Sequence, residues 1–255
     1  MALVISGCLK KGIPQKDTAQ CNTESFTQQT YEPYPIQTKT INGTDYLMSR
    51  SPAGKYGGTL VTSTIGEGPK TFNSWNSMDA TSSQAADIMF DALVSTDPYT
   101  GEVYPRMAKS IKVLPDKKTY IIELRHGLKW SDGKSITADD VYFTWNTIIF
   151  GGFGNTSTRD AMYIGDELPK IEKIDKYTVK FTTPKPFSPF LRQLGVPIAP
   201  KHILEPVTKQ GKRAFASFWS SNTKPSDFVT SGVFKLKEYV PAQRLVYERN
   251  PNYYM

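Results

Sequence analysis

The apolar positions of the 255-residue chain recur with two different periods, which predicts both strands and helices. A run of β-branched residues at positions 59–64 predicts a buried strand at the start of the folded part. Spacing of i, i+3, i+4 and i+7 then predicts one buried face of a helix, formed by Ala86, Met89, Phe90 and Leu93. A turn at 97–101, which contains proline and glycine, closes this first unit.

The middle of the chain combines a strand, a tight turn and the start of a helix. Residues 119–125 predict the strand, and the turn at 131–134 contains Gly133, which can adopt a positive φ at no steric cost. Thr137 stands at the N-cap position with Asp140 three residues later, as in a capping box with Asp in place of the usual Glu. The buried stripe of this helix is then Val141, Trp145, Ile148 and Ile149.

The second half of the chain adds strands with a period of two. Apolar side chains alternate with polar ones at Tyr177, Val179 and Phe181, which predicts a half-buried strand. The same alternation on both sides of residues 240–243 predicts a hairpin; its apolar positions are Phe234 and Leu236 before the turn and Leu245 and Tyr247 after it. Strands and helices interleave without a strict βαβ order, so the predicted fold class is α/β in the mixed α+β sense.

Composition and charge exclude several classes of function. The formal net charge is +7, but Lys and Arg are scattered, whereas nucleic-acid binding calls for a basic face or arm. We therefore expect no nucleic-acid partner. No apolar stretch approaches the roughly 20 residues of a transmembrane helix. With His126 and His202 as the only histidines and no Cys-x-x-Cys pair, we expect neither a metal site nor a cofactor.

Both cysteines, Cys8 and Cys21, lie in the first tenth of the chain. They could form one disulfide in an oxidising compartment. The run that ends in Ile5-Ser6-Gly7-Cys8 also resembles a bacterial lipobox, in which the cysteine is acylated. A chance match is the alternative, because the usual basic n-region is missing. We interpret residues 1–8 as a truncated lipoprotein signal with its lipobox and 9–55 as a polar tether, so that lipid on Cys8 would anchor the protein to a membrane.

A group of charged side chains between positions 132 and 140 is the strongest candidate for catalysis. Asp132, Asp139 and Asp140 could do acid–base work only if burial or neighbours separated their pKa values. Asp132 already fits a turn, and the other two fit a helix start. His126 is interpreted as a surface or packing residue, and no Gly-x-Ser-x-Gly motif occurs. We therefore expect no catalytic residues and no enzyme activity.

Five stretches of the chain carry a resemblance to a known family. They lie at 57–60, 90–94, 124–145, 231–236 and 248–254. In this order they resemble the extracellular solute-binding proteins of peptide-type ABC importers, the oligopeptide- and dipeptide-binding family 5. The resemblance extends from about Tyr56 to Met255.

The resemblance implies a class II periplasmic-binding-protein-like fold, in which two lobes close over a ligand. It assigns residues 56–90 and 201–255 to the main sheet of the first lobe and 91–200 to an inserted subdomain. The chain ends about halfway through a typical member, so we expect a fragment without the second lobe. The implied function is capture of a peptide, or a related small solute, and its delivery to a permease and ATPase complex. The implied location is the periplasm or the outer cell surface; an adhesin or sensory lipoprotein that reuses the fold is the alternative.

Three segments hold the candidate ligand-binding residues. The loop after the first strand resembles the family's loop that touches peptide backbone, and its candidates are Trp75, Met78, Asp79 and Ala80. A solvent loop with a core tryptophan is the alternative. The segment 153–163 resembles a second ligand-facing loop and contributes Phe153 and Tyr163. A crossing towards the cleft contributes Ser231 and Gly232, for which a plain turn is the alternative.

Overall fold

The computed structural model describes residues 38–41, 44–47, 57–64 and 66–254. Cys8, Cys21 and the lipobox lie outside these residues, as does most of the predicted tether. Within the tether, β1 (Thr38–Ile41) and β2 (Thr44–Leu47) form an antiparallel pair with Thr38 opposite Leu47. The tether prediction, which rested on the lack of an apolar period, did not include this pair.

One helix and a small strand pair precede the largest sheet of the described chain. The helix α1 (Ala80–Asp87) leads to β3 (Val94–Thr96), which pairs antiparallel with β4 (Val103–Pro105). Between these strands, Gly101 has φ +71° and its N–H donates to the carbonyl of Asp97 at 2.8 Å. The turn predicted at 97–101 is therefore confirmed.

A four-stranded antiparallel sheet has the order β5-β6-β8-β7. Its strands are β5 (Ala108–Val113), β6 (Thr119–Leu124), β7 (Lys170–Lys173) and β8 (Thr178–Thr182). Tyr120 and Ile122 stand opposite Phe181 and Val179, and all four side chains are buried. Alternate residues of a half-buried strand face the core, so the predicted strand at 119–125 and the alternation around Val179 are confirmed.

The helix that follows the sheet's second strand begins at the predicted capping box. The N–H of Thr137 donates to Asp140 Oδ2 at 2.9 Å, and Thr137 Oγ1 accepts from the N–H of Asp139 at 3.3 Å. The helix α2 (Ala138–Tyr142) continues as a π-helical segment, Phe143–Ile149, and the predicted apolar stripe is buried along both. The π-helical geometry was not predicted, because apolar spacing over two turns does not separate it from an α-helix.

Four short α-helices and a hairpin are the remaining α and β elements, and a 3₁₀ helix lies at Pro225–Asp227. The α-helices and strands are α3 (Ser157–Asp160), α4 (Phe190–Gln193), α5 (Lys201–Lys209), α6 (Lys212–Ser217), β9 (Phe234–Val240) and β10 (Arg244–Arg249). The pairing of β9 with β10 confirms the predicted hairpin. Leu236 is buried, whereas Phe234 is 40% exposed. In the described part of the chain, no helix has the length and apolar character that crossing a membrane requires.

Two hydrophobic clusters fill the interior of the described chain. The first joins the four-stranded sheet to Trp130 and Trp145, and its buried members all lie between positions 93 and 198. The second surrounds Trp219 and draws on positions 72–90 and 199–236, with Phe143 and Ile148 added from the central helix. The boundaries near 90 and 200 stay a prediction. Of the predicted main-sheet segments, the described residues contribute the β9–β10 hairpin and no larger sheet.

Two predictions from periodicity are wrong. Residues 57–64 form no strand, and Leu60 and Val61 are 89% and 85% exposed. β-branched residues favour a strand only where a neighbouring strand pairs with them and covers them, and no described residue does so here. The second is the helix face predicted from Ala86 to Leu93: α1 ends at Asp87, so most of that face lies beyond the helix. Met89 is buried outside the helix, where its carbonyl accepts the N–H groups of Ser231 and Gly232 at 3.1 and 2.8 Å.

Candidate functional site

A cleft of about 710 Å³ opens between the loop that precedes α1 and the segment that follows the π-helix. Its walls come from residues 74–77, α1, β3, and the segments 148–162 and 192–197. Many of the polar lining side chains are short hydroxyls or amides, including Ser74, Ser77, Ser83, Asn155, Thr158 and Gln193. The charged lining residues are Asp87 and Arg192. This lining offers both hydrogen-bond donors and acceptors, together with apolar side chains such as Trp75 and Phe153.

Trp75 lines the cleft, and the protein fixes its side chain in place. Its indole Nε1–H donates to the carbonyl of Pro197 at 2.9 Å, and its ring meets Phe90 edge-on with centroids 5.1 Å apart. The side chain is only 6% exposed. Trp75 is therefore a core tryptophan that also lines the cleft.

The other candidates of the first loop do not line the cleft. Met78 is 82% exposed to solvent. Asp79 is the N-cap of α1, where Oδ1 accepts the N–H of Ser82 at 2.8 Å and Oδ2 accepts its hydroxyl at 2.7 Å. Both hydrogen bonds stabilise the ionised carboxylate and so lower the pKa of Asp79, and the bond from the Ser82 backbone has the larger effect. Ala80 is the first residue of α1, so the helix start explains this sequence locally.

The second loop crosses the first at a backbone contact. The N–H of Asn155 donates to the carbonyl of Trp75 at 2.9 Å, and the Asn155 side chain donates to the carbonyl of Ser77 at 3.0 Å. Gly154 has φ +69°, and a Cβ there would lie 2.4 Å from the Trp75 oxygen, so only glycine fits this crossing. Sequence reasoning missed both residues, because a contact between two segments distant along the chain leaves no local signal.

Phe153 lines the cleft as well, whereas Tyr163 does not. The ring of Phe153 meets Phe215 edge-on with centroids 5.6 Å apart, and Lys212 Nζ lies 5.9 Å from its centroid. Tyr163 is 44% exposed, and its neighbour Met162 is the residue that reaches the cleft. Of the eight candidate residues, the cleft thus brings together Trp75 and Phe153.

Ser231 and Gly232 make a structural contact outside the cleft lining. The N–H of Asp91 donates to Ser231 Oγ at 2.9 Å. A Cβ on Gly232 would lie 2.5 Å from the carbonyl oxygen of Ile88 and 2.6 Å from the carbonyl carbon of Met89. The glycine is therefore required for close approach of two backbone segments, which is more than a plain turn needs.

Each carboxylate of the segment 132–140 has a structural partner in the protein. Asp132 Oδ2 lies 2.8 Å from His202 Nε2, and Asp139 forms an exposed ion pair with Lys173 at 2.8 Å. Asp140 is buried and accepts backbone N–H groups from two elements, while burial raises the pKa of its carboxyl above its usual range. Within the described ranges, no group of three His, Cys, Asp or Glu residues could hold a metal ion.

Asp87 and Gln193 are cleft residues that the sequence did not indicate. Asp87 ends α1 and is exposed, and partial desolvation of its carboxyl group by neighbouring protein atoms raises the pKa of that group. Gln193 lies at the end of α4, and its side-chain nitrogen donates to the carbonyl of Ala161 at 2.7 Å. Neither residue belongs to a motif, and only the packing of distant segments brings both to one cleft.

Known proteins with similar sequences are solute-binding proteins of transporters. A probable ABC transporter-binding protein of Deinococcus radiodurans is 34% identical over 186 residues, 71% of this chain and 31% of that protein. The oligopeptide-binding protein AppA of Bacillus subtilis is 32% identical over 210 residues, 81% of this chain and 36% of that protein. The chain thus spans about a third of the length of these relatives.

Solved structures agree with the predicted mixed α/β fold class. The crystal structure of Bacillus subtilis AppA in complex with a nonapeptide superimposes with a TM-score of 0.60 at 29% identity, over 74% of this chain and 36% of that one. A peptide-binding AppA from Clostridium difficile gives 0.59 at 30% identity, over 73% and 35%. Residues 102–255, more than half of the chain, match the middle part of the family model. The chain therefore belongs to the bacterial extracellular solute-binding proteins, family 5.

Proposed function

We propose that this chain supplies part of the ligand-capturing component of an ABC importer and that its ligand is a peptide. The observation that carries the proposal is the cleft of about 710 Å³, which lies where the two loops cross at Trp75 and Asn155. Small-molecule sites commonly have volumes of roughly 300–1,000 Å³ and combine apolar walls with a few polar groups. The names of the relatives as oligopeptide-binding proteins support a peptide as the ligand.

The lining suits peptides of varied sequence. Hydroxyl and amide side chains such as Ser83 and Thr158 can hydrogen-bond to the amide groups that all peptides share. The rings of Trp75 and Phe153 offer apolar surface without a shaped pocket for one side chain. Water can fill the remaining space, because a water-mediated contact is nearly as favourable as a direct one. Captured peptide would then pass to a membrane permease and its ATPases.

A matched pair of tryptophan substitutions tests the ligand site. Ser157 lines the cleft at its exposed edge, whereas Ser188 is exposed elsewhere and lies outside the lining. Ser157→Trp places an indole in the cleft, and Ser188→Trp adds the same bulk to an unrelated surface. We expect native mass spectrometry of the 255-residue chain with a pool of unmodified tripeptides to show retained peptides for the wild type and Ser188→Trp and at least about tenfold less for Ser157→Trp. Equal retention by the two variants, or no retention by the wild type, would refute the cleft as the peptide site.

We also propose that the protein is anchored by lipid on Cys8, in the periplasm or at the outer cell surface. The support is the sequence Ile5-Ser6-Gly7-Cys8 together with the extracellular character of the family. Metabolic labelling with a fatty-acid analogue should mark the wild type and Cys21→Ala and leave Cys8→Ala unlabelled. Labelling that survives Cys8→Ala would overturn the assignment.

We infer that the chain has no catalytic function. The support is that the family consists of solute-binding proteins and that Asp140, the most buried carboxylate of the segment 132–140, already accepts two backbone hydrogen bonds. A carboxylate with both oxygens occupied by N–H donors is poorly placed to exchange protons with a ligand.

A further inference from the structure

The carboxylate of Asp91 is buried, at 5% exposure, and donors from three segments of the chain surround it. Arg106 Nη2 donates to Asp91 Oδ2 at 3.2 Å, and Arg106 Nε lies 3.1 Å from Oδ1. The hydroxyls of Tyr253 and Tyr254 donate to Oδ2 at 3.3 and 3.0 Å, and the N–H of Ala92 donates to Oδ1 at 2.8 Å. We call Asp91, Arg106, Tyr253 and Tyr254 the Asp91 node. Because the protein occupies both oxygens, the node acts on the protein itself and offers no site for a ligand.

Stability alone is a poor explanation for the node. The desolvation of a buried ion pair offsets much of its Coulomb attraction, so apolar residues of similar volume often stabilise a fold equally well. The tyrosines remain neutral donors, because burial and then the charge of Asp91 raise the pKa of Tyr253 to about 12. What such a directional network adds to apolar packing is one defined arrangement of the segments that meet in it.

The backbone at the node reaches the cleft through one short pairing. The carbonyl of Asp91 accepts the N–H of Ile198 at 2.9 Å, and Ala92 pairs with Pro197 in an antiparallel bridge. Pro197 lines the cleft, and its carbonyl accepts the indole N–H of Trp75 at 2.9 Å. The placement of residues 91–92 therefore decides where the acceptor of the Trp75 indole lies.

We propose that Asp91 is a positioning residue for Trp75, the tryptophan of the cleft lining. The node holds residues 91–92 in place, and their pairing with residues 197–198 transmits that placement to the indole. Asp91 itself lies outside the lining, so its effect on a ligand is indirect. The consequence for peptide binding rests on the proposed function, whereas the effect on the Trp75 indole does not.

Exchange of the indole N–H groups, followed by ¹⁵N NMR, tests the link without a ligand. Trp219 is the internal reference, because it lies in the same hydrophobic cluster and its indole donates to the carbonyl of Asp227 at 3.3 Å. Asp91→Asn replaces one acceptor oxygen by a donor nitrogen, which a guanidinium cannot accept. We expect exchange at Trp75 to accelerate at least about threefold relative to Trp219. Equal acceleration of both indoles indicates a loss of global stability only, and that result or an unchanged ratio overturns the inference.

A milder pair of variants keeps the test valid if Asp91→Asn does not fold. Tyr254→Phe removes one donor of the node. Tyr120→Phe removes the hydroxyl of another buried tyrosine, which donates to the carbonyl of Phe187 at 3.1 Å outside the cleft lining. The ratio of Trp75 to Trp219 exchange should rise in Tyr254→Phe and stay at the wild-type value in Tyr120→Phe. The same ratio in both variants contradicts the inference, and circular dichroism verifies that each variant is folded.

Retention of unmodified tripeptides, read by native mass spectrometry, separates this inference from the proposed function. We expect a folded Asp91→Asn chain to retain at least about fivefold less peptide than the wild type, and Tyr120→Phe to match the wild type. Faster exchange at Trp75 with unchanged peptide retention overturns the positioning role in binding while leaving peptide capture intact. If the wild type retains no peptide but Asp91→Asn still accelerates exchange at Trp75, the proposed function fails and the positioning of Trp75 by Asp91 stands.

Discussion

Replacing the buried residue Asp140 by alanine should destabilise the chain. Asp140 is 5% exposed and connects two helices. Its Oδ2 accepts the N–H of Thr137 at 2.9 Å, which caps α2, and its Oδ1 accepts the N–H of Lys201 at 3.1 Å, which starts α5. Asp140→Ala removes both acceptors and leaves two backbone donors without their partners.

The magnitude follows from these two bonds and from the burial of the charge. A buried donor left unpaired costs about 1–3 kcal/mol. Thr137 and Lys201 are only partly buried, so water can replace part of each bond and the lower end of that range applies. Burial of the carboxylate opposes this loss, since it raises the pKa of Asp140 and so disfavours the ionised form. We expect Asp140→Ala to lower the free energy of unfolding by about 2 kcal/mol, the value of a strong helix cap.

Urea unfolding followed by tryptophan fluorescence measures this loss, because Trp130 and Trp145 are buried in the first cluster. The matched control is Asp139→Ala, which removes the neighbouring carboxylate and its exposed ion pair with Lys173. An exposed ion pair contributes about 0–1 kcal/mol, so the control should stay close to wild type. Equal unfolding midpoints for the two variants would refute the structural role that we assign to Asp140.

Three further predictions concern other residues of the structure. Gly232→Ala should lower the free energy of unfolding by about 3 kcal/mol, because its Cβ would lie 2.5 Å from the Ile88 oxygen. The comparison is Gly165→Ala, where no atom lies within 4 Å and only the φ of +72° opposes a Cβ, and a smaller loss at Gly232 than at Gly165 would contradict the prediction. Thr144→Val should lower the free energy of unfolding, measured with urea, by about 1–3 kcal/mol, because the Thr144 hydroxyl donates to the Asp140 carbonyl and accepts the Ala199 N–H. An unchanged free energy of unfolding would show that these two hydrogen bonds contribute nothing to stability. Asp87→Asn should raise the melting temperature at neutral pH. The raised pKa means that the folded state binds a proton more readily than the unfolded state, so ionised Asp87 opposes folding above that pKa. The difference should shrink as the pH falls through that raised pKa and vanish below the ordinary aspartate pKa of the unfolded chain, and a melting temperature lowered at neutral pH would be contrary evidence.

Local chemistry explains why some elements were predictable from the sequence. The capping box of Thr137 and Asp140 and the positive φ of Gly133, at +86°, depend on residues within one turn of each other. The alternation around Val179 depends on one strand with a single buried face. In these cases the residues that show the sequence pattern are the same residues that form the cap, the turn or the strand.

Predictions failed where a distant segment decided the outcome. Residues 59–64 have strand-forming side chains, but pairing needs a second strand, which the described chain does not provide. The apolar spacing that begins at Ala86 correctly predicted which residues are buried. It did not predict the end of the helix at Asp87, after which the Met89 carbonyl accepts the N–H groups of Ser231 and Gly232. The same limit applies to the cleft, because Asp87 and Gln193 stand 106 positions apart and share a lining only after folding.

The most direct test of the central claim, that the cleft holds a peptide, is amide hydrogen exchange of the 255-residue chain with and without a saturating pool of unmodified tripeptides. The account predicts slower exchange at residues 74–77 and 153–158, where the two loops cross, and unchanged exchange at 57–64, which lies outside the lining. Peptide binding that protects other segments and leaves both loops unchanged would contradict the account.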